Sequence, residues 1–249
     1  LESVDPPALR SALVGRTICD VSRRAKLILV GLDRSTLVFH LKLTGKLWVR
    51  EADAPPARHA RLVIGLSGGL ALVLEDMRRL GWARVQDDRA LAETLAAFGP
   101  EPLEPAFDLS TFRARLHARR RSRLKPLLLD PAFVAGIGNI YADEVLFAAR
   151  LHPLEKAGAL DHLAVRRLHR AIKGVLGRAL AARTAEVPDQ ERVGAGGRGA
   201  AKRLVLAVYQ RDGQPCRACR GPLERTVVQT RGTYLCPRCQ PLPAPARAR

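Results

Sequence analysis

The sequence predicts an α+β protein with an N-terminal antiparallel β domain, a C-terminal helical domain and a small metal-binding β-hairpin. Three observations predict this class: short Val-, Ile- and Leu-rich runs separated by turns, a later stretch with helical periodicity, and two Cys-x2-Cys pairs near the C-terminus. The 249 residues suffice for one large domain or two ordinary ones, and an apolar share of 47% is ample for a core.

Residues 1–98 are expected to form the β domain. Its apolar runs are separated by the turn sequences DRS, PPARH and SGG, and no long helix intervenes. The runs cover residues 19–32, 35–49, 60–67, 69–77 and 82–87. Several short strands at this spacing favour an antiparallel sandwich or barrel. A short helix over 87–99 closes the segment, and residues 99–107 are expected to be a linker.

Residues 108–200 are expected to form the helical domain. Asp108 or Ser110 can cap its first helix, in which Leu109, Phe112 and Leu116 are the apolar positions. Further helices are predicted over 122–130, 138–151 and 161–184, and the last has a basic face opposite its apolar face. The Gly-rich segment 186–203 is expected to be a mobile loop, and the tail 242–249 to be disordered.

The charge balance points to a polyanionic partner. Lys and Arg number 42 against 24 Asp and Glu, a net charge of +18, and nucleic acid is the usual partner of so basic a chain. The alternative is a solvated, arginine-rich surface. No apolar stretch approaches the ~18 residues of a membrane span, and no signal peptide opens the sequence. We therefore expect a reduced, cytoplasmic protein.

Four of the five cysteines predict a metal site. Cys216 and Cys219 form one Cys-x2-Cys pair, and Cys236 and Cys239 form a second, so a zinc finger over 201–241 is expected. Four thiolates and no open position indicate one structural Zn²⁺. A redox pair or chance spacing are the alternatives. Between the pairs, two short apolar runs predict a β-hairpin, and Cys19 stands apart.

A Gly-rich turn before the third predicted helix is a candidate phosphate site. Gly136 and Gly138 precede Asn139, which opens the helix. Free N–H groups and the positive end of the helix dipole meet there, and the Asn139 amide can add a donor. A plain Gly-rich helix cap is the alternative.

With the cysteine hairpin, this segment resembles the formamidopyrimidine-DNA glycosylase/endonuclease VIII family. GIGNIYADEVLFAARLHP is similar to its helix–two-turn–helix motif, and HLKLTGKL, DMRRLGW and FGPEPL are similar to other family blocks in family order. The resemblance runs from about Asp5 to Gln240, and TRGTYLCPRCQ favours the formamidopyrimidine branch, which removes oxidised purines such as 8-oxoguanine. It implies a two-layer β-sandwich and a helical domain that together bind bent, damaged double-stranded DNA as a monomer and flip the damaged nucleotide.

The resemblance also assigns roles to individual residues. Lys26, in SRRAKLILV, matches a family lysine that contacts the phosphate beside the lesion and assists β-elimination, and Arg231 matches an arginine linked to δ-elimination. The positions that match DNA contacts are His40, His59, Arg78, Arg120, Asn139 and Arg231. The alternatives are a core histidine for His40 and solvated surface cations for the arginines.

Three positions match the residues that fill the space left by the flipped base. They are Leu43, Arg78 and Leu80, where the family usually has Met, Arg and Phe. A leucine wedge can still separate stacked bases, although it gives up aromatic stacking worth ~1 kcal/mol or more. The alternative is that both leucines are ordinary core residues.

The family nucleophile has no match in these 249 residues. The resemblance assigns it to an N-terminal proline whose amine forms a Schiff base, beside a glutamate that acts as acid and base. Three hypotheses follow: a glycosylase with AP lyase activity recorded without its N-terminus, a paralogue that binds damaged DNA without cleaving it, and a zinc-ribbon nucleic-acid protein of another class. A missing opening strand and helix would also expose part of the β-domain core.

Overall fold

A computed structural model describes residues 6–55, 57–184 and 205–242. The described residues form two compact units, 6–97 and 98–184 with 205–242. The expected loop over 186–203 and almost all of the expected tail lie outside the described residues.

The first unit is a pair of antiparallel sheets flanked by two short helices. Its elements are α1 (Pro6–Leu13), β1 (Ile18–Arg24), β2 (Leu27–Leu32), β3 (Thr36–His40), β4 (Gly45–Glu51), β5 (Ala60–Leu66), β6 (Leu70–Asp76), β7 (Trp82–Gln86) and α2 (Asp88–Ala96). One sheet has the order β1-β2-β3-β7 and the other β4-β6-β5. Phe39 and Leu37 of the first sheet pack with Leu72 and Leu74 of the second. The antiparallel sandwich is thus confirmed, and the closed barrel is not formed.

Helix α1 is an element that the strand-rich interpretation of this region did not include. It begins at Pro6, whose fixed φ suits the first helical position. Leu9 and Leu13 lie one turn apart and pack against the sandwich core. An open apolar groove of about 960 Å³ lies between α1 and β5, lined by both of these leucines together with Leu62 and Ile64.

The chain passes between the two sheets of the sandwich at two loops. Residues 41–44 join β3 to β4, and residues 77–81 join β6 to β7. The strand register brings them together, because His40 pairs with Trp82 in one sheet while Gly45 pairs with Asp76 in the other. Both loops therefore lie side by side at one edge of the sandwich.

The second unit is built from four helices around one core. They are α3 (Leu109–Ala118), α4 (Leu124–Leu129), α5 (Asn139–Ala149) and α6 (His162–Thr184). Asp108 caps α3 through a hydrogen bond from the Thr111 N–H, 2.7 Å long. Residues 99–107 were expected to be a linker. They pack on this unit instead, and Phe107 is fully buried in its core.

A β-hairpin completes the second unit. It consists of β8 (Glu224–Val228) and β9 (Arg231–Leu235), which pair antiparallel. Val208 and Leu223 are buried with Cys216 and Cys236 in a core too small to fold alone. Among the described residues, no helix combines the length and apolar character needed to cross a bilayer.

Candidate metal centre and nucleic-acid interface

The four cysteines of the hairpin region converge as the sequence predicts. All four Sγ atoms lie within 4.8 Å of one another, with Cys219 and Cys236 at 3.4 Å and Cys216 and Cys239 at 3.9 Å. A tetrahedral Zn²⁺ with Zn–S bonds of about 2.3 Å needs sulfur–sulfur distances of about 3.8 Å. The donor set therefore fits one structural zinc, which would supply most of the folding free energy of this small region.

Helix α5 holds the segment before the metal site through a buried carboxylate. Glu144 accepts hydrogen bonds from the N–H groups of Ala207, Val208 and Tyr209, at 2.8 to 3.0 Å. Gln240, just after the last cysteine, is fully buried and donates to the Leu151 carbonyl at 2.8 Å. Both ends of the metal-binding region are thus fixed to the helical core.

A buried ion pair fixes the hairpin turn. Lys125 and Asp143 are both fully buried, and Lys125 Nζ lies 2.7 Å from Asp143 Oδ1. Lys125 also donates to the Gly232 carbonyl at 2.9 Å and to Thr233 Oγ1 at 2.8 Å, and Asp143 accepts from the Tyr234 N–H at 3.0 Å. Burial raises the pKa of Asp143 to about 6 and lowers the pKa of Lys125, although the ion pair opposes both shifts.

The structure brings Asn139 and Arg231, two of the candidate DNA-contact residues, to adjacent positions. Asn139 is the first residue of α5, and its Nδ2 donates to the Gly232 carbonyl at 3.0 Å. Arg231 precedes Gly232 and is exposed. No side chain caps this end of α5, because Gly138 holds the cap position. The helix N-terminus and the arginine can therefore act on one anion.

In the first unit, Lys26 and His40 lie together at the start of the first sheet. Lys26 is exposed in the tight turn between β1 and β2, after Ala25 with a φ of 54°. His40 is half-buried, and its Nδ1 accepts the N–H of Lys42 at 2.9 Å. Burial lowers the pKa of His40, and the charges of Lys42 and Lys26 lower it further. A neutral His40 then carries its proton on Nε2, where it can donate to a phosphate.

The two sheet-crossing loops carry the three candidate void-filling residues. Leu43 lies in one loop and is 67% exposed, while Leu80 lies in the other and is 44% exposed. Arg78 is also exposed. The alternative that these leucines are core residues is therefore wrong, because both side chains are exposed. Apolar side chains held in solvent at one edge are available for insertion.

Asp76 organises these loops although the sequence interpretation did not single it out. It is 1% exposed and accepts the N–H groups of Arg78, Leu80 and Gly81 at 3.2, 2.7 and 2.6 Å, besides the Thr44 hydroxyl. Burial by itself raises the pKa of Asp76, but these hydrogen bonds outweigh it and hold that pKa below its usual value.

The last two candidate DNA-contact residues, His59 and Arg120, contribute backbone hydrogen bonds. His59 is half-buried just before β5, and its carbonyl accepts the Asp76 N–H at 3.0 Å. Arg120 is exposed in the turn after α3, and its carbonyl accepts the Gly158 N–H at 2.8 Å.

Sequence reasoning missed the buried polar residues that position the site. Lys125 within LKPLLLD and the Asp143–Glu144 pair within NIYADEVLF were the available signals, because charged groups inside apolar helical runs are costly unless they are paired. Apart from the contact of Lys125 with Asp143, their partners lie 63 to 108 residues away, so no local pattern identifies them.

Comparisons with known proteins agree with this architecture. Three family models match: the formamidopyrimidine-DNA glycosylase N-terminal domain at 1–83, its H2TH domain at 98–190, and a zinc finger found in that enzyme and in isoleucyl-tRNA synthetase at 213–242. A formamidopyrimidine-DNA glycosylase from Herpetosiphon aurantiacus is 40% identical over 96% of this chain and 87% of its own length. A second one, from Roseiflexus, is 43% identical over 96% of this chain and 87% of its own length.

Solved structures of formamidopyrimidine-DNA glycosylases also superpose on this chain. A Lactococcus lactis enzyme in complex with DNA containing an abasic site superposes with a TM-score of 0.82 at 30% identity, over 95% of this chain and 86% of that one. MutM in complex with DNA containing carbocyclic 8-oxo-G also superposes with a TM-score of 0.82. Its identity is 31%, over 95% of this chain and 86% of that one. With matches along nearly its whole length, the chain belongs to the formamidopyrimidine-DNA glycosylase family.

Proposed function

We propose that the chain belongs to a base-excision-repair glycosylase with AP lyase activity that removes oxidised purines from duplex DNA. The DNA-binding part of this proposal depends on one observation. At Gly232, the N-terminal residue of α5, Asn139, contacts the hairpin turn that carries Arg231. Two donors of different type, fixed by a buried network, suit a phosphate of a duplex. The relatives solved with abasic and 8-oxo-G DNA support the choice of substrate.

The sheet-crossing loops supply the second part of this function. A base that leaves the stack must be replaced, and apolar wedges unstack a base step at a cost of a few kcal/mol. Leu43 and Leu80 are exposed at one edge of the sandwich, and Arg78 stands between them in sequence order. We assign these three side chains to the space left by the flipped nucleotide.

The chemical step needs an amine nucleophile. In the proposed route, a proline amine attacks the sugar C1′, the base departs with a proton, and loss of a sugar proton then expels the 3′ phosphate. Lys26 would neutralise the phosphate beside the lesion and assist elimination, with the Nε2 proton of His40 nearby. Arg231 would hold a phosphate of the same duplex. The Pro-Glu segment that provides the amine in this route is not contained in the 249 residues.

Borohydride trapping on a duplex with one 8-oxoguanine tests this function. The protein is compared as the 249-residue chain and with the N-terminal segment of a relative, including its Pro-Glu, fused in front. We expect a covalent adduct with the fused protein and none with the 249-residue chain. Acetylation of the N-terminal amine of the added segment, which prevents Schiff-base formation, is the control for the nucleophile.

The second candidate is a protein that binds damaged DNA without cleaving it. Tight binding to abasic duplex without any adduct in the fused protein would support this candidate and contradict the glycosylase. An in-frame segment similar to PELPEVE directly upstream in the genome would favour the glycosylase.

A further inference from the structure

We infer that Thr44 and Asp76 are positioning residues for the void-filling side chains, and that they lock the two sheet-crossing loops into one rigid wedge. The inference rests on the proposed function, because it assigns Leu43, Arg78 and Leu80 to the space left by a flipped base. It concerns how these side chains are held and not which residues enter the DNA.

Asp76 fixes the loop that carries Arg78 and Leu80. Its Oδ2 accepts the N–H groups of both Leu80 and Gly81, and its Oδ1 accepts that of Arg78. Between them, Arg79 has a φ of 57°, a backbone conformation that is unfavourable for a residue with a side chain. The carboxylate therefore holds a turn that its own sequence does not favour.

Thr44 joins the second loop to this carboxylate. Its hydroxyl donates to Asp76 Oδ1 and accepts the Arg78 N–H at 3.2 Å. Thr44 follows Leu43 directly, so one side chain connects the backbone beside Leu43 with the backbone at Arg78. Through these two hydrogen bonds, the position of one loop restrains the position of the other.

Close packing leaves this arrangement little freedom. A Cβ added at Gly45 would lie 2.4 Å from the Leu41 carbonyl oxygen, and one at Gly81 would lie 3.2 Å from both Asp76 Oδ2 and the His40 carbonyl oxygen. Gly45 therefore allows the first loop to turn back closely on Leu41, and Gly81 allows the second loop to lie close to Asp76 and the end of β3. The exposed leucines stand on a rigid, buried base, which is how a wedge can act on a base stack without losing conformational entropy on binding.

The test compares Thr44→Val, Thr44→Ser and Thr36→Val in the full chain. Thr44→Val keeps the shape and removes the hydroxyl, Thr44→Ser keeps the hydroxyl, and Thr36→Val makes the same exchange at a buried site on β3. The probes are a duplex with a tetrahydrofuran abasic analogue opposite 2-aminopurine and an undamaged duplex. The readouts are the ratio of the two affinities and the 2-aminopurine emission.

We expect Thr44→Val to lower the affinity ratio about fivefold. Both hydroxyl contacts are lost, but the Arg78 N–H keeps Asp76 Oδ1, so the net loss is that of one hydrogen bond of ordinary strength. Thr44→Ser should restore at least half of the ratio, and Thr36→Val should match the wild type. In a Leu43→Ala/Leu80→Ala background, Thr44→Val should have no further effect if it acts through these side chains. Hydrogen exchange at the amides of Arg78, Leu80 and Gly81 should rise in free Thr44→Val.

The outcomes separate the inference from the proposed function. A wild-type chain without preference for the abasic duplex would refute the proposed function and the positioning role with it. A discriminating wild type with an unchanged ratio and unchanged amide exchange in Thr44→Val would refute the positioning role alone. A loss that persists fully in the double-leucine background would show that Thr44 acts on general stability, and would equally refute it.

Discussion

At the scale of the residue, His40 shows how the fold lowers the pKa of a side chain. The N–H of Lys42 occupies its Nδ1, and burial together with two neighbouring lysines disfavours its charged form. Because its folded-state pKa lies below the usual 6.5, the unfolded chain binds more protons as the pH falls through that value. His40 therefore lowers the stability of the folded protein as the pH falls below about 6.5.

Lys26→Met should raise the pKa of His40 towards its usual value, because the charge of Lys26 is one of the causes that lower it. Histidine NMR titration measures this change. His152 is the internal control, since burial alone lowers its pKa and Lys26 is not among the causes. Equal shifts at both histidines, or none at His40, would contradict the placement of Lys26 beside His40.

Arg231→Ala should weaken binding to all duplexes similarly and lower the slope of log affinity against log salt by about one, as expected for one lost phosphate contact. Binding is measured between low and physiological salt. Arg89→Ala is the control, because Arg89 is an exposed arginine paired with Glu93 on α2. An unchanged salt slope would remove Arg231 from the phosphate contacts.

At the scale of the element, α5 connects the helical core to the hairpin. Asn139 and Asp143 lie four residues apart, so both project from one face, and Glu144 is adjacent. Together they bind the turn at Gly232, the strand at Tyr234 and the segment at 207–209. The helix thus sets where Arg231 stands, and its Phe147 packs against the small core around the cysteines.

The Lys125–Asp143 pair gives a prediction for this junction. Lys125→Met or Asp143→Leu alone should each destabilise the second unit by about 3–5 kcal/mol, because each leaves a buried charge without its partner. The double variant should be more stable than the sum of the single effects predicts, with a coupling of about 1–3 kcal/mol. Chemical unfolding followed by helical circular dichroism measures these free energies.

The matched control is the partly exposed Arg50–Glu75 pair of the second sheet, in which Arg50 Nη2 lies 2.5 Å from Glu75 Oε1. Its coupling should stay at or below about 1 kcal/mol, because solvent screens charges at a surface. Additive single effects at Lys125 and Asp143 would show that the two side chains do not act as a buried pair.

At the scale of the whole molecule, the sandwich and the metal-binding hairpin region differ in what stabilises them. The sandwich has a core of its own between its sheets, whereas the hairpin region has only a few buried apolar side chains around its cysteines. Removing zinc should therefore raise hydrogen exchange over residues 205–242 and leave β3 and β6 protected. Mass spectrometry of peptide fragments before and after chelation measures this difference.

Two cysteine variants provide the control for zinc removal. Cys216→Ser should lose zinc and reproduce the effect of the chelator, while Cys19→Ser should keep zinc, because Cys19 is exposed on β1 and lies outside the cluster. Full protection of the hairpin without metal would contradict a structural role for zinc.

The sequence by itself determined the fold class, the metal ligands and the family. Each depends on short-range information: strand and helix periodicity, two cysteine knuckles, and blocks such as SRRAKLILV and GIGNIYADEVLF. Helix α1 was not predicted, because eight residues next to strand-rich sequence carry a weak local signal.

Only the tertiary structure decided how the candidate site is held. Thr44 and Asp76 are 32 residues apart, and Lys125 and Thr233 are 108 apart, so their contacts exist only after the sheets and helices have packed. Exposure was decided in the same way: Leu43 and Leu80 resemble core leucines in sequence, but their loops face solvent. Burial and hydrogen-bond partners are properties of the packed chain, and local residue patterns do not encode them.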